Sequence, residues 1–135
     1  MTDLQPFKDQ LDYTKMDANI AGLVKVMNDI TTLATIDCCG GHTNPDKAAR
    51  QVGTGRWYIT FHTADPYAIA LIASTAEKFG SAVHIEVIYQ AFGKEEGLDL
   101  INLVYEMSGP EEVINDFTEL LTRSLNTSPR GFWDL

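Results

Sequence analysis

The sequence predicts an α+β fold, a two-layer sandwich with helices on one face of a mostly antiparallel sheet. Three observations carry that expectation. Apolar residues recur at helical spacing in three separate stretches. Four short segments between them alternate with a period of two. The last two strands are joined by a connection short enough for a hairpin, which makes them antiparallel neighbours. The element order is α-β-β-α-β-β-α, and such runs of strands with flanking helices suit a two-layer sandwich.

Residues 1–16 are polar with scattered apolar anchors (Leu4, Phe7, Leu11, Tyr13), the pattern of an N-terminal arm or short helix. Ile20, Leu23, Val24, Met27 and Ile30 then form one helical stripe, with Asp17 at the N-cap. Residues 33–38 are β-prone. Simple alternation puts Ile36 and Cys38 on one face and Thr35 and Asp37 on the other. Residues 39–55 read as a long loop with one helical turn at 46–50. In 56–62, Trp57, Ile59 and Phe61 alternate with Tyr58, Thr60 and His62.

Asp65 and Pro66 start the second helix as cap and first-turn proline. Its expected buried side is Ile69, Ile72, Ala73, Ala76 and Phe79, and Gly80 ends it. The third strand, 83–89, places Val83, Ile85, Val87 and Tyr89 opposite His84, Glu86 and Ile88. Residues 90–97 form the hairpin loop and 98–106 the fourth strand. Ser108, Gly109 and Pro110 open the last helix, whose stripe is Val113, Ile114, Phe117, Leu120, Leu121 and Leu125. The tail, 127–135, contains Phe132 and Trp133, apolar enough to dock on this domain or on a second subunit.

The 135 residues fit a single domain, 1–135, able to bury a core without staples. Ten Lys and Arg stand against 19 Asp and Glu, a net charge of −9. That balance disfavours nucleic acid, because phosphate backbones are held by cations. It favours a small ligand, a protein partner or simple solubility. No stretch has the ~18 apolar residues of a membrane span, and the start lacks the pattern of a signal peptide. Cys38 and Cys39 are adjacent, a poor geometry for a disulfide, so reduced thiols in a cytoplasmic setting are expected.

The chemistry gathers at 37–42, where Asp37, Cys38, Cys39, Gly40, Gly41 and His42 follow a strand. Strand ends are where such folds place ligands. Gly40 and Gly41 can present backbone N–H groups to an anion. His42 or Arg56 would clamp it, and His62 and His84 share a sheet face with Glu86 if their strands are neighbours. The expected ligand-binding set is therefore Asp37, Cys39, Gly40, Gly41, His42, Arg56, His62 and His84.

Two other chemistries compete with ligand binding. Cys38, Cys39, His42 and His62 could ligate zinc, although no paired-cysteine motif supports it. A cysteine nucleophile beside a histidine base lacks an orienting third group. In the plain structural alternative, Cys38 is core, the glycines make a turn and His42 is solvated. Cofactor and catalysis stay open.

The run Met27-Asn28-Asp29-Ile30 followed by Thr35-Ile36-Asp37-Cys38-Cys39-Gly40-Gly41-His42 resembles a group of small bacterial and phage-borne proteins of unassigned function. They carry Asn-x-Ile and then Thr-x-x-Ser-Cys-x-Gly-His after the first helix. A more distant resemblance, over residues 20–88, is to the methyltransferase-like third protein of tRNA wybutosine synthesis. That family has Ser-Ser-Cys-Ser-Gly-Arg after a strand, then an Ile-Leu-His-Val strand and an Ala-rich helix. The matching positions here are Cys38, Ile59-Thr60-Phe61-His62 and residues 70–76. Asp37 replaces a serine, one glycine is extra and His42 stands in place of arginine.

The expected function is binding of a nucleotide-like or anionic small molecule at the 38–42 turn, in a possible homo-oligomer. The resemblance implies an alternative, an S-adenosylmethionine-dependent methyltransferase-like enzyme. A phage-type regulator acting through protein–protein contact is the third reading.

Overall fold

The computed structural model describes residues 4–41, 55–95 and 98–127. Ile20, Leu23, Val24 and Met27 return to one side of the chain every three or four residues, and all are buried in helix α1, Ala18–Asn28. β1, Leu33–Cys39, follows after a tight turn, and β2 is Arg56–Thr63. Helix α2, Pro66–Glu77, leads to β3, His84–Glu95, which turns into β4, Leu98–Pro110. Helix α3, Ile114–Thr127, closes the order. The sheet runs β1-β2-β4-β3, antiparallel throughout. The α+β order expected from the sequence is the observed one.

The core lies between the helices and one sheet face. Trp57, Ile59 and Phe61 of β2 and Met107 of β4 are fully buried against Ile20, Leu23, Ile72, Phe117 and Leu121. Phe117 is its aromatic centre, with ring centroids 6.0 Å from Trp57 and 5.5 Å from Phe79. The Trp57 indole N–H donates to the Pro110 carbonyl at 2.9 Å, so the ring is buried with its polar atom satisfied.

Side chains join the elements. Asn28 at the end of α1 donates to the Val24 carbonyl and the Thr35 hydroxyl, both at 2.8 Å, and accepts from the Thr35 N–H at 3.1 Å. Asp65 caps α2 as expected, accepting from the Tyr67 N–H at 2.9 Å. Its other oxygen accepts from the Thr32 hydroxyl at 2.7 Å. The N-terminal arm is anchored by buried Leu4 and by the Lys8 ammonium, which donates to the Asn28 and Ile30 carbonyls at 2.7 and 2.8 Å. Those carbonyls belong to a helix end that has run out of internal donors.

Five local expectations are corrected. β1 bulges between Thr35 and Asp37, with Ile36 as the extra residue. Asp37 therefore lies opposite Thr60 and Cys38 opposite Ile59, the reverse of simple alternation. A second shift between Val87 and Tyr89 breaks the alternation of β3. The hairpin loop is shorter than expected, since pairing continues to Glu95 opposite Leu98. Ser108, Gly109 and Pro110 do not open the last helix but pair with Tyr58, Trp57 and Arg56, and Pro110 sits at the strand end, where its missing N–H is tolerated. Helix α2 buries Ala68, Leu71, Ile72, Thr75 and Ala76, whereas Ala73 faces solvent. The helical turn expected at 46–50 and the tail beyond Thr127 lie outside the described residues. No helix among the described residues is long and apolar enough to cross a membrane.

Candidate functional site

The sheet face opposite the helices is polar. Pairing across the four strands sets Cys39, Tyr58, Ser108 and His84 in one row. Asp37, Thr60, Glu106 and Glu86 form the next. His62 belongs to a third row, opposite Ala34 and Val104. Arg56 falls on the same face by alternation along β2, at its far end, opposite Pro110. Tyr58, Glu106, Ser108, Cys39 and Thr60 are only 4–8% exposed, although they lie on the face without helices. Toward the β3 edge the face opens, and the His84 and Glu86 side chains are 62% and 57% exposed.

The bulge at Ile36 delivers Asp37 to this face. Its carboxylate accepts from the Tyr58 hydroxyl at 3.3 Å and from the Cys38 N–H at 2.9 Å, and its carbonyl accepts from the Thr60 hydroxyl at 3.4 Å. Ile36 itself is left 57% exposed. A cavity of about 340 Å³ lies beside the bulge, lined by Asp37, Cys38 and Asp17 together with Leu11, Lys15 and Met16 of the arm.

The bulge also separates the two thiols. Cys39 shares a row with Tyr58, whereas Cys38 turns toward Ile59 and packs against the core. Burial, and then the nearby Asp37, Asp17 and Cys39, push the Cys38 thiol from 9.0 up to about 11. It is therefore a protonated, poor nucleophile at neutral pH. Its shift contributes stability that is complete below pH 9 and lost as pH rises through about 11. Cys38 should accordingly resist iodoacetamide at pH 8 in the native protein and react at the rate of a free thiol in urea. Rapid native labelling, located by peptide mass mapping, would contradict the packed position.

The Gly40-Gly41 turn is clamped from outside the sheet. The Gly40 N–H donates to Asp17 Oδ2 at 2.8 Å, and its carbonyl accepts from Asn19 Nδ2 at 2.6 Å. A side chain on Gly40 would collide with Asn19 and with Asp17 Cβ. Gly41 adopts φ +91°, a conformation that favours glycine, and a Cβ there would meet the Glu111 carboxyl group. One of the two amides expected to face an anion is thus bonded within the fold. Asp17 occupies the N-cap position of α1 but makes no cap bond, contrary to expectation.

Asp37 and Cys39 lie on the β1 edge of this face and His84 on the β3 edge, three strand spacings or roughly 14 Å apart, so the structure brings Asp37 and Cys39 together but not His84 with them. His84 and Glu86 approach to 3.7 Å. His62 lies one row beyond Thr60 on β2, and four residues of β4, roughly 13 Å along the strand, separate its row from that of His84, so the two histidines do not meet. β2 and β3 are not neighbours, because β4 lies between them. His42 lies outside the described residues. Among the described residues, no group of three or more His, Cys, Asp or Glu is placed to hold a metal ion.

Sequence reading missed Glu106 and Ser108 as face residues, and Asp17, Asn19 and Glu111 as supports of the turn. The alternation of Tyr58 and Thr60 with His62 was visible. The contribution of Glu106 and Ser108 depends on strand register, which has no local signal.

No family model matches the chain, and no curated protein matches it. Among solved structures it is similar to the PH1069 protein from Pyrococcus horikoshii, at 14% identity and a TM-score of 0.36, over 92% of this chain and 85% of that one. So distant a likeness bears on neither function nor site.

Proposed function

We propose that the protein binds a nucleotide-like small molecule on the polar sheet face, beside the 38–42 turn. The observation that carries this reading is the cavity of about 340 Å³ beside the bulge, which Asp37 lines while its carboxylate accepts from the Tyr58 hydroxyl of the adjoining polar face. Polar groups are concentrated this way in ligand sites, where a few placed donors and acceptors fix orientation.

The row Asp37, Thr60, Glu106, Glu86 narrows the ligand. Carboxyl groups in a row offer mainly acceptor oxygens, so they suit a ligand edge that carries N–H donors or positive charge. A bare anion is disfavoured there. The base edge of a nucleotide suits the carboxylate row, and its phosphate suits Arg56, roughly 13 Å away along β2. The same carboxylates support a second reading, S-adenosylmethionine, whose sulfonium is cationic and which would make the protein a methyltransferase-like enzyme.

Free Cys38 and Cys39 fit a reducing, cytoplasmic setting. Exposed Val87 and Ile88 on the edge strand β3 suit contact with a second copy.

The test is thermal shift and calorimetry with AMP, GMP, CMP, UMP, S-adenosylmethionine and S-adenosylhomocysteine, alongside native mass spectrometry, which also reports the oligomer. A nucleotide at a hundred times its Kd should add about 2.7 kcal/mol of stability. Glu106→Gln should weaken binding severalfold to tenfold, since it replaces one acceptor oxygen by a donor and a typical hydrogen bond contributes about 0.5–1.5 kcal/mol. Preference for S-adenosylmethionine over S-adenosylhomocysteine would identify sulfonium recognition. A protein that is bare by mass and shifts with none of the six would sink both readings in favour of an interaction protein.

A further inference from the structure

We propose that Asp17 and Asn19 are positioning residues for the ligand-binding turn, through which the first turn of α1 sets the direction of the chain at Gly40. The inference rests on the reading of this turn and the adjoining sheet face as a ligand site.

The two helices of this fold with an aspartate at the N-cap position make an internal comparison. At the start of α2, Asp65 behaves as an N-cap aspartate ordinarily does and accepts from the N–H two residues on, at 2.9 Å. At the start of α1, Asp17 holds the same position but makes no cap bond. Its Oδ2 instead accepts from the Gly40 N–H, 23 residues away, at 2.8 Å. Asn19, two residues into the helical segment, donates to the carbonyl of that same residue at 2.6 Å. Both polar groups of one peptide residue are thus held by one helix terminus.

That helix terminus forgoes a local stabilising bond in order to hold a distant one. Local rules are broken in this way chiefly at functional sites, where position matters more than stability. The residue held is well placed for such a role. Gly40 follows Cys39, which shares a row with Tyr58, and precedes Gly41, whose φ of +91° redirects the chain. Glu111, just ahead of α3, packs against Gly41 from the other side. Without the bonds from Asp17 and Asn19, the Gly40 peptide would be free to rotate at the end of β1, beside Cys39.

Asp17→Ser separates positioning from general support. Serine is as good an N-cap as aspartate, but its hydroxyl is too short to keep the bond to Gly40 while capping. The cap bond gained offsets much of the bond lost at Gly40, so the variant should melt within a few degrees of the wild type. The Gly40 amide should exchange with solvent at least tenfold faster, while core amides of β2 and β4 keep their rates. AMP and GMP, titrated by calorimetry, should bind at least tenfold more weakly. Asn19→Ala should reproduce the loss of affinity.

An unchanged Gly40 exchange rate would overturn the proposal. So would a larger drop in melting temperature with faster exchange throughout the core, which marks ordinary structural support. Unaltered AMP and GMP affinity with a loosened turn would overturn it too. If the wild type binds neither nucleotide, the ligand reading fails on its own, and the exchange at Gly40 still decides whether Asp17 holds the turn.

Discussion

Phe117→Ala should destabilise the protein by about 3–5 kcal/mol, the range for removing a fully buried aromatic ring. For a chain of this size that lowers the melting temperature by about 10–20 °C. Phe117 lies on α3, yet its ring meets Trp57 of the sheet and Phe79, two residues past the end of α2. It is completely buried, and both partners belong to other parts of the chain. Removing it leaves a cavity where three elements meet, with no single neighbour placed to fill it. The measurement is thermal and urea unfolding followed by circular dichroism. A loss below about 1 kcal/mol would mean that the cavity collapses and that α3 is held elsewhere.

Gly40→Ala should destabilise by about 2–4 kcal/mol, combining overpacking with loss of a hydrogen bond. The added methyl group enters the space of the Asn19 amide and the Asp17 Cβ, the same side chains that bond to the Gly40 backbone. The turn cannot move away without breaking those bonds. In the double variant Gly40→Ala, Asn19→Ala, the nearest obstacle is gone, so part of the loss should return, in a coupling of about 0.5–3 kcal/mol typical of touching residues. Strict additivity of the two single changes would show that the clash is relieved some other way. The measurement is a urea double-mutant cycle with the slope of each transition compared, because a changed slope would signal a changed unfolded state.

These two positions differ in how legible they were. Phe117 sits in an uninterrupted apolar stripe, and its burial follows from helical periodicity alone. Asp65 with Pro66 was equally plain, because a cap and a first-turn proline act within one turn of chain. The same rule assigned Asp17 to the N-cap and found the right position but the wrong bond. Its oxygen is bonded to a residue 23 positions away, which no local pattern encodes. Ser108 to Pro110 looked like a helix start because Ser, Gly and Pro punctuate chains generally. In the structure, eight β2 residues pair as far as Pro110, and the strand ends there. The faces of β1 failed for a different reason. One extra residue inverts every later side chain, and a bulge carries no fixed sequence sign. The candidate site was therefore legible as a segment. Its composition as a surface depended on register.

The bulge at Ile36 has a practical consequence for the cysteine pair. Two thiols adjacent along the chain sit on opposite sides of the sheet, one against the core beside Ile59 and one in the row of Tyr58. Cys38 is half-buried and also lines the cavity beside the arm, so a probe on it would follow that cavity, whereas Cys39 is buried and would become reactive only when the covered polar face opens. The chain thus carries a built-in pair of reporters one peptide bond apart, Cys38 for the cavity and Cys39 for the opening of the sheet face.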